Sequence, residues 1–86
     1  MYGYTRIRTK KDLSMNEIDL HGFTHDEAVF AVEDFVLKES TKYGFQCRVI
    51  TGNSHKLQER IKKEILDKHG FNYYIPSWNV GEIIVS

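Results

Sequence analysis

Twice in this 86-residue chain a short apolar run stops at a glycine, and two residues later comes a hydroxyl able to cap a helix. No other feature constrains the fold as much. In the first instance Ile18 and Leu20 alternate with Asp19 and His21, the period of a strand with one buried face, and Gly22 breaks the run. Thr24-His25-Asp26-Glu27 then has the form of a capping box, with the Thr24 hydroxyl accepting from the amide three residues on while Glu27 reaches back. Asp26 and Glu27 also suit the positive end of a helix dipole. Ala28, Val29, Val32, Phe35 and Val36 recur at helical spacing, which predicts a helix to about Tyr43, ended by Gly44.

In the second instance residues 45–51 read as a strand, Gly52-Asn53-Ser54 as a loop, and Ser54 as the cap of the next helix. Leu57, Ile61 and Ile65 mark that helix's inner face, and Gly70 closes it. Lys68 and His69 in its last turn suit the negative end of the dipole. Residues 71–75 and 82–85 read as two further strands around a turn at 76–81, after a first strand at 15–20. The order is β-α-β-α-β-β. Helices alternating with strands favour right-handed crossovers and parallel pairing. The expected fold is therefore a two-layer α/β sandwich, its sheet mostly parallel, with two helices on one face. Residues 15–86 form the domain. Residues 1–14 make a basic N-terminal arm, either flexible or an edge strand in which Tyr2, Tyr4, Arg6 and Arg8 alternate with Gly3, Thr5 and Ile7.

Length leaves room for one domain, which buries only about 60–65% of its unfolded surface. No apolar run approaches the roughly 18–20 residues that cross a bilayer, and the N-terminus lacks the apolar stretch of a signal peptide. Neither a membrane nor a secretory route is expected. Cys47 is the single cysteine, so no internal disulfide or multi-cysteine zinc site forms, and its apolar setting reads as burial. These features fit a reducing cytoplasm.

Lysine plus arginine and aspartate plus glutamate balance at 12 each, but they are segregated. Acidic residues dominate from Glu17 to Glu39, and basic ones dominate the N-terminus and the stretch from Lys42 to Lys63. A neutral chain can thus present one acidic and one basic face.

Ligands of parallel α/β sheets bind beyond the carboxyl ends of the strands. If the first two long strands are neighbours, Asp19, His21, Thr51, Ser54 and His55 meet along one edge. The second helix starts there, offering unpaired amides and a dipole to an anion, and Gly52 lets backbone come close to a phosphate. Lys56, Arg60 and Lys63, at i, i+4 and i+7, continue a basic stripe along which a phosphodiester backbone could run. The same stripe also suits a solvated helix face. His25, four residues after His21, invites a metal pair but has no evident third ligand. Trp78 and Tyr73-Tyr74 suit base stacking or packing of the final hairpin equally.

The segment Ile18-Asp19-Leu20-His21-Gly22-Phe23-Thr24 resembles the D-L-H-G signature that opens domains of the Smr (small MutS-related) family. That family carries, about thirty residues later, a strand ending in H-G-x-G or T-G-x-G, and this chain has Thr51-Gly52-Asn53-Ser54. The likeness covers residues 16–86. It implies a fold like the C-terminal domain of a bacterial translation initiation factor. It also implies endonuclease activity on RNA or DNA, in some members on messenger RNA at stalled or collided ribosomes. Asp19 and His21 become the candidate catalytic residues, and Thr51, Gly52 and Asn53 would bind substrate backbone together with the start of the second helix. Two positions depart from the pattern: Asn53 replaces a residue that is often Lys or Arg, and Ser54 replaces the second glycine.

Three functions follow. The first is a phosphodiesterase that cuts RNA, slightly favoured, or DNA. His21 would be its acid or base, Asp19 would orient it or take part, and the helix-start amides with His55 would stabilise charge on phosphate. A 2′-hydroxyl nucleophile needs no metal, whereas a water nucleophile calls for a divalent ion held by Asp19. The second is a non-catalytic module that binds nucleic acid or the ribosome. The third is a protein-interaction domain using Glu33, Asp34 and Glu39.

Overall fold

A computed structural model describes Ile7–Arg8 and residues 15–86. Along the chain lie β1 (Ile7–Arg8), β2 (Asn16–Asp19), α1 (His25–Glu39), β3 (Cys47–Ile50), α2 (His55–Ile61), a π turn (Lys62–Leu66), α3 (Asp67–His69), β4 (Tyr73–Tyr74) and β5 (Glu82–Val85). One five-stranded sheet runs in the order β1-β2-β3-β5-β4. The expected arm lies outside the described residues except for β1, whose backbone pairs antiparallel with β2.

The sheet is mixed, which corrects the expectation of mostly parallel pairing, and β1 adds a strand ahead of the expected order. Only β2 and β3, joined through α1, run parallel. β3 and β4 both pair antiparallel with β5. The reason lies in the connections. A parallel crossover needs a dozen or more residues, and only residues 75–81 separate β4 from β5. β5 must turn back on β4, and its Ile83, Ile84 and Val85, all buried, suit it to an interior place between β4 and β3.

Both sequence-predicted caps are made. Thr24 Oγ1 accepts from Glu27 N at 3.1 Å, and Glu27 Oε1 accepts from Thr24 N at 2.9 Å. Ser54 Oγ accepts from Leu57 N at 3.2 Å. Helix α1 stops at Glu39, four residues short of Tyr43. There the Ser40 and Thr41 hydroxyls bond back to the carbonyls of Leu37 and Lys38, each at 2.8 Å, offering the backbone an alternative to further helix. The second helix keeps its expected span, but Asp67 N donates to Lys62 O, an i→i−5 bond that spacing of apolar residues does not reveal.

Helices α1 and α2 pack on the face carrying Ile18, Cys47, Val49, Ile83 and Val85, where Val32, Val36, Ile61, Ile65 and Leu66 complete a fully buried core. The opposite face is polar at its centre. Arg48 Nη1 meets Glu17 Oε1 at 3.1 Å on the neighbouring strand, and its Nε lies 2.8 Å from Glu82 Oε1 on the other side. Both carboxylates are buried, so the guanidinium between them offsets a desolvation cost of several kcal/mol per ion.

Candidate functional site

Because β2 and β3 are parallel neighbours in register, with Asp19 opposite Ile50, their carboxyl ends coincide. Leu20 N extends the ladder to Ile50 O at 3.0 Å. Just beyond lies an open concavity of ≈ 360 Å³, lined by Asp19, His21, Ile50, Thr51 and Gly52. Asp19 Oδ1 accepts from the His21 backbone amide at 3.0 Å, an Asx turn closed by Phe23 N bonding to Leu20 O at 3.0 Å. The carboxylate therefore fixes the main chain of His21, leaving the imidazole exposed at the rim.

The facing loop is held from below. Gly81 O accepts from Thr51 N at 2.8 Å, Gly52 N at 2.9 Å and Thr51 Oγ1 at 3.1 Å. The Thr51 hydroxyl also lies 2.9 Å from Gly52 O, so its one proton is shared between two carbonyls. Gln58, buried on α2, donates through Nε2 to Thr51 Oγ1 at 2.9 Å and to Val80 O at 2.8 Å. A Cβ at position 81 would lie 3.3 Å from Asn79 Oδ1 and 3.4 Å from the Gly52 backbone, a close fit in which Asn79 would have to give by a few tenths of an ångström. Gly52 itself sits in the left-handed region at φ +69. Ser54, at the position of the missing second glycine, has φ −88 and is unstrained.

This bonding sorts the expected phosphate ligands. The amides of Thr51 and Gly52 are spent on Gly81, and the Thr51 hydroxyl serves the loop. What remains for an anion is the run of amides at Asn53, His55 and Lys56, where a helix start lacks internal acceptors. Ser54 brings in a residue from outside the loop, since its Oγ lies 3.4 Å from His25 Nε2 at the start of α1.

The basic stripe is less uniform than its spacing. Arg60 Nε bonds Glu64 at 2.9 Å and Nη1 bonds Asp26 at 2.8 Å, tying α2 to the first turn of α1. These two carboxylates, Glu64 first, raise the guanidinium's pKa further, and Glu64 is lowered in return. Lys56 and Lys63 are exposed and make no ion pair among the described residues, so with the exposed His55 they supply the uncommitted basic groups of this edge.

Sequence reading missed Gln58 and Gly81. A polar residue next to Leu57 on the apolar stripe of α2 is the signal for the first, because a buried amide must find partners. Nothing in the sequence marks Gly81, whose role depends on a contact between residues thirty apart. As a metal cage built from protein ligands alone the donor set does not fit. The described residues contain no group of three or more His, Cys, Asp or Glu placed to hold an ion, and Asp19 already bonds the backbone with one oxygen.

A family model of the Smr domain matches residues 18–76, more than half of the chain. The chain belongs to the Smr domain family. No curated protein and no solved structure matches it. Smr domains are associated with nuclease activity or nucleic-acid binding, and all the residues lining the concavity fall within the matched span. Trp78, Val80, Gly81 and β5 lie beyond it, so the loop is supported partly by Gln58 within the matched segment and partly by Gly81 outside it. No helix among the described residues is long and apolar enough to cross a membrane.

Proposed function

We propose that this Smr domain is an endonuclease that nicks or cleaves the phosphodiester bonds of RNA or DNA, with RNA favoured, and that it cuts between the ends of β2 and β3. The observation that carries this reading is the convergence of Asp19, His21, Thr51 and Gly52 on one concavity, where α/β sheets take their ligands. His21 is of the residue type best matched to proton transfer near neutral pH. Asp19 anchors the turn that presents it and keeps a second oxygen for the substrate.

On RNA the chemistry needs only these groups. His21, as base, removes the proton of a ribose 2′-hydroxyl, whose oxygen attacks the adjacent phosphorus in line. The bond to the 5′ oxygen breaks, and that oxygen takes the proton from the His21 imidazolium so formed, leaving a 2′,3′-cyclic phosphate and a 5′-hydroxyl. The amides of Asn53, His55 and Lys56 face the charge that builds on phosphate. DNA lacks the 2′-hydroxyl, so cutting it would call for a water nucleophile and a divalent ion held by Asp19 together with the substrate phosphate.

A second reading draws support from the loop. Asn53 and Ser54 stand where a cation and a glycine are usual, and Arg60 is engaged by Asp26 and Glu64. A non-catalytic module binding nucleic acid or the ribosome through the same edge would fit these losses. The acidic face of α1 offers less to a protein partner: Glu33 meets His69, Asp34 meets Lys38, and Glu39 bonds Asn16 and Lys42.

The test incubates end-labelled single- and double-stranded RNA and DNA with wild type, Asp19→Asn and His21→Ala, with and without EDTA. Cleavage of RNA that persists in EDTA, yields cyclic phosphate ends and disappears in both variants is the expected result. Binding without cleavage by all three proteins would leave the second reading.

A further inference from the structure

We infer that Trp78 is a stacking platform for an unpaired base of the strand whose phosphate lies in the concavity, so that the domain takes single-stranded or locally opened nucleic acid. The inference rests on the nucleic-acid reading above and deepens it. Trp78 is 74% exposed, an unusual state for the largest apolar side chain and one that packing of the final hairpin does not account for.

Its support is rigid. Pro76 beneath it is buried, and Asn79 N bonds back to Pro76 O at 3.2 Å, closing a turn with Trp78 near its tip. Asn79 then holds both ends of the following corner, accepting from Gly81 N at 3.0 Å and donating to Glu82 Oε2. The same corner receives Gln58 at Val80 O and both loop amides at Gly81 O. The turn that carries Trp78 is thus linked, through Asn79 and the Gly81 corner, to the Thr51-Gly52 wall of the concavity. Two residues lie between Trp78 and Gly81, so their Cα atoms are at most about 11 Å apart, a span comparable with one or two nucleotides.

An aromatic face beside a phosphate site is the arrangement by which single strands are held without sequence readout, since every base has a π-face. A paired base inside a duplex presents only its edges, which favours an opened strand. Val80, two residues further on, is also exposed, at 60%.

Trp78 is the single tryptophan of the chain, so its fluorescence reports this one position. The experiment titrates the full chain with a labelled single-stranded oligoribonucleotide, reading anisotropy of the label and tryptophan emission together, and repeats it with an abasic oligonucleotide of equal length. The expected result is saturable quenching by the base-bearing strand, none by the abasic strand, and affinity about 5- to 150-fold weaker for Trp78→Ala, the loss of one stacked base. Trp78→Phe should recover much of that affinity. If the labelled strand binds while emission is unchanged and Trp78→Ala binds as wild type does, the platform is refuted and the nucleic-acid reading stands. If no strand binds at any salt, both fail, and Trp78 would then belong to a protein-binding surface.

Discussion

Gln58 is the hinge-pin of the site, and its substitution gives a prediction with a worked magnitude. The side chain is 4% exposed and its amide nitrogen donates twice, to Thr51 Oγ1 and to Val80 O. Gln58→Ala removes two hydrogen bonds worth about 1 kcal/mol each and leaves the Val80 carbonyl without that donor. It also strips apolar stem at roughly 0.8 kcal/mol per methylene. The expected loss is about 2–4 kcal/mol, a large share of the roughly 4–13 kcal/mol available to a domain of this length. Gln58→Glu keeps the shape but sets an oxygen against Val80 O at the 2.8 Å now spanned by the donor. Near neutral pH it should be at least as damaging as alanine.

Acid should partly rescue Gln58→Glu. Burial and the facing carbonyl raise the new carboxyl's pKa, and a group raised on folding contributes stability present below its unfolded value of about 4.3. That contribution is lost as pH rises through the folded value. Urea unfolding followed by far-ultraviolet circular dichroism, at neutral pH and at about pH 4–5, measures all of this. Losses below about 0.5 kcal/mol for both variants, the level of an inconsequential surface change, would refute the reasoning that Gln58 holds the loop.

Two other predictions concern stability. Arg48→Ala removes the cation between Glu17 and Glu82 on the open face of the sheet; because Arg48 is itself partly exposed, the cost should fall near 2–4 kcal/mol, read from the urea midpoint, and an unchanged midpoint would show the charge cluster to be idle. Cys47 is fully buried, and burial, with Glu39 second, pushes its thiol up to about 12 from 9.0. Its neutral form thus stabilises the fold below the unfolded pKa, and that contribution is lost as pH rises from about 9 toward 12. Wild type should lose stability there relative to Cys47→Ala, by roughly 4 kcal/mol at most, and native protein should react with a thiol reagent only as fast as it opens.

The parts of this fold legible in sequence are those decided within a few residues. The Thr24-Glu27 capping box, the Ser54 cap and the breaks at Gly22 and Gly52 involve neighbours in the chain, so type and spacing reveal them. That Asp19 and His21 meet Thr51 and Gly52 at one edge was legible because parallel pairing of two strands through one helix brings their ends together. Past Gly70 the 76–81 turn is too short for a crossover, so the antiparallel pairing of β4 with β5 was legible from its length. What the sequence hides is that β5, and not β4, takes the place beside β3. The end of α1 was misplaced because a competition between Ser40 and Thr41 hydroxyls and the helix ladder does not show in apolar periodicity. Long-range contacts were hidden altogether. Gly81 against Gly52, Arg60 with Asp26, and Gln58 with Val80 join residues 22 to 34 positions apart, and they decide which of the predicted phosphate ligands are still available.

The central claim is that Asp19 and His21 act on a phosphodiester bond, and a single-turnover cleavage rate tests it most directly. Asp19→Asn can still accept from the His21 amide and His21→Ala keeps that amide, so both variants should fold and bind the strand as wild type does. Wild type should cleave single-stranded RNA, and His21→Ala should slow cleavage about 100- to 10,000-fold with affinity unchanged. A wild type that cuts none of the four nucleic acids, or a His21→Ala variant that cuts at the wild-type rate, would contradict it.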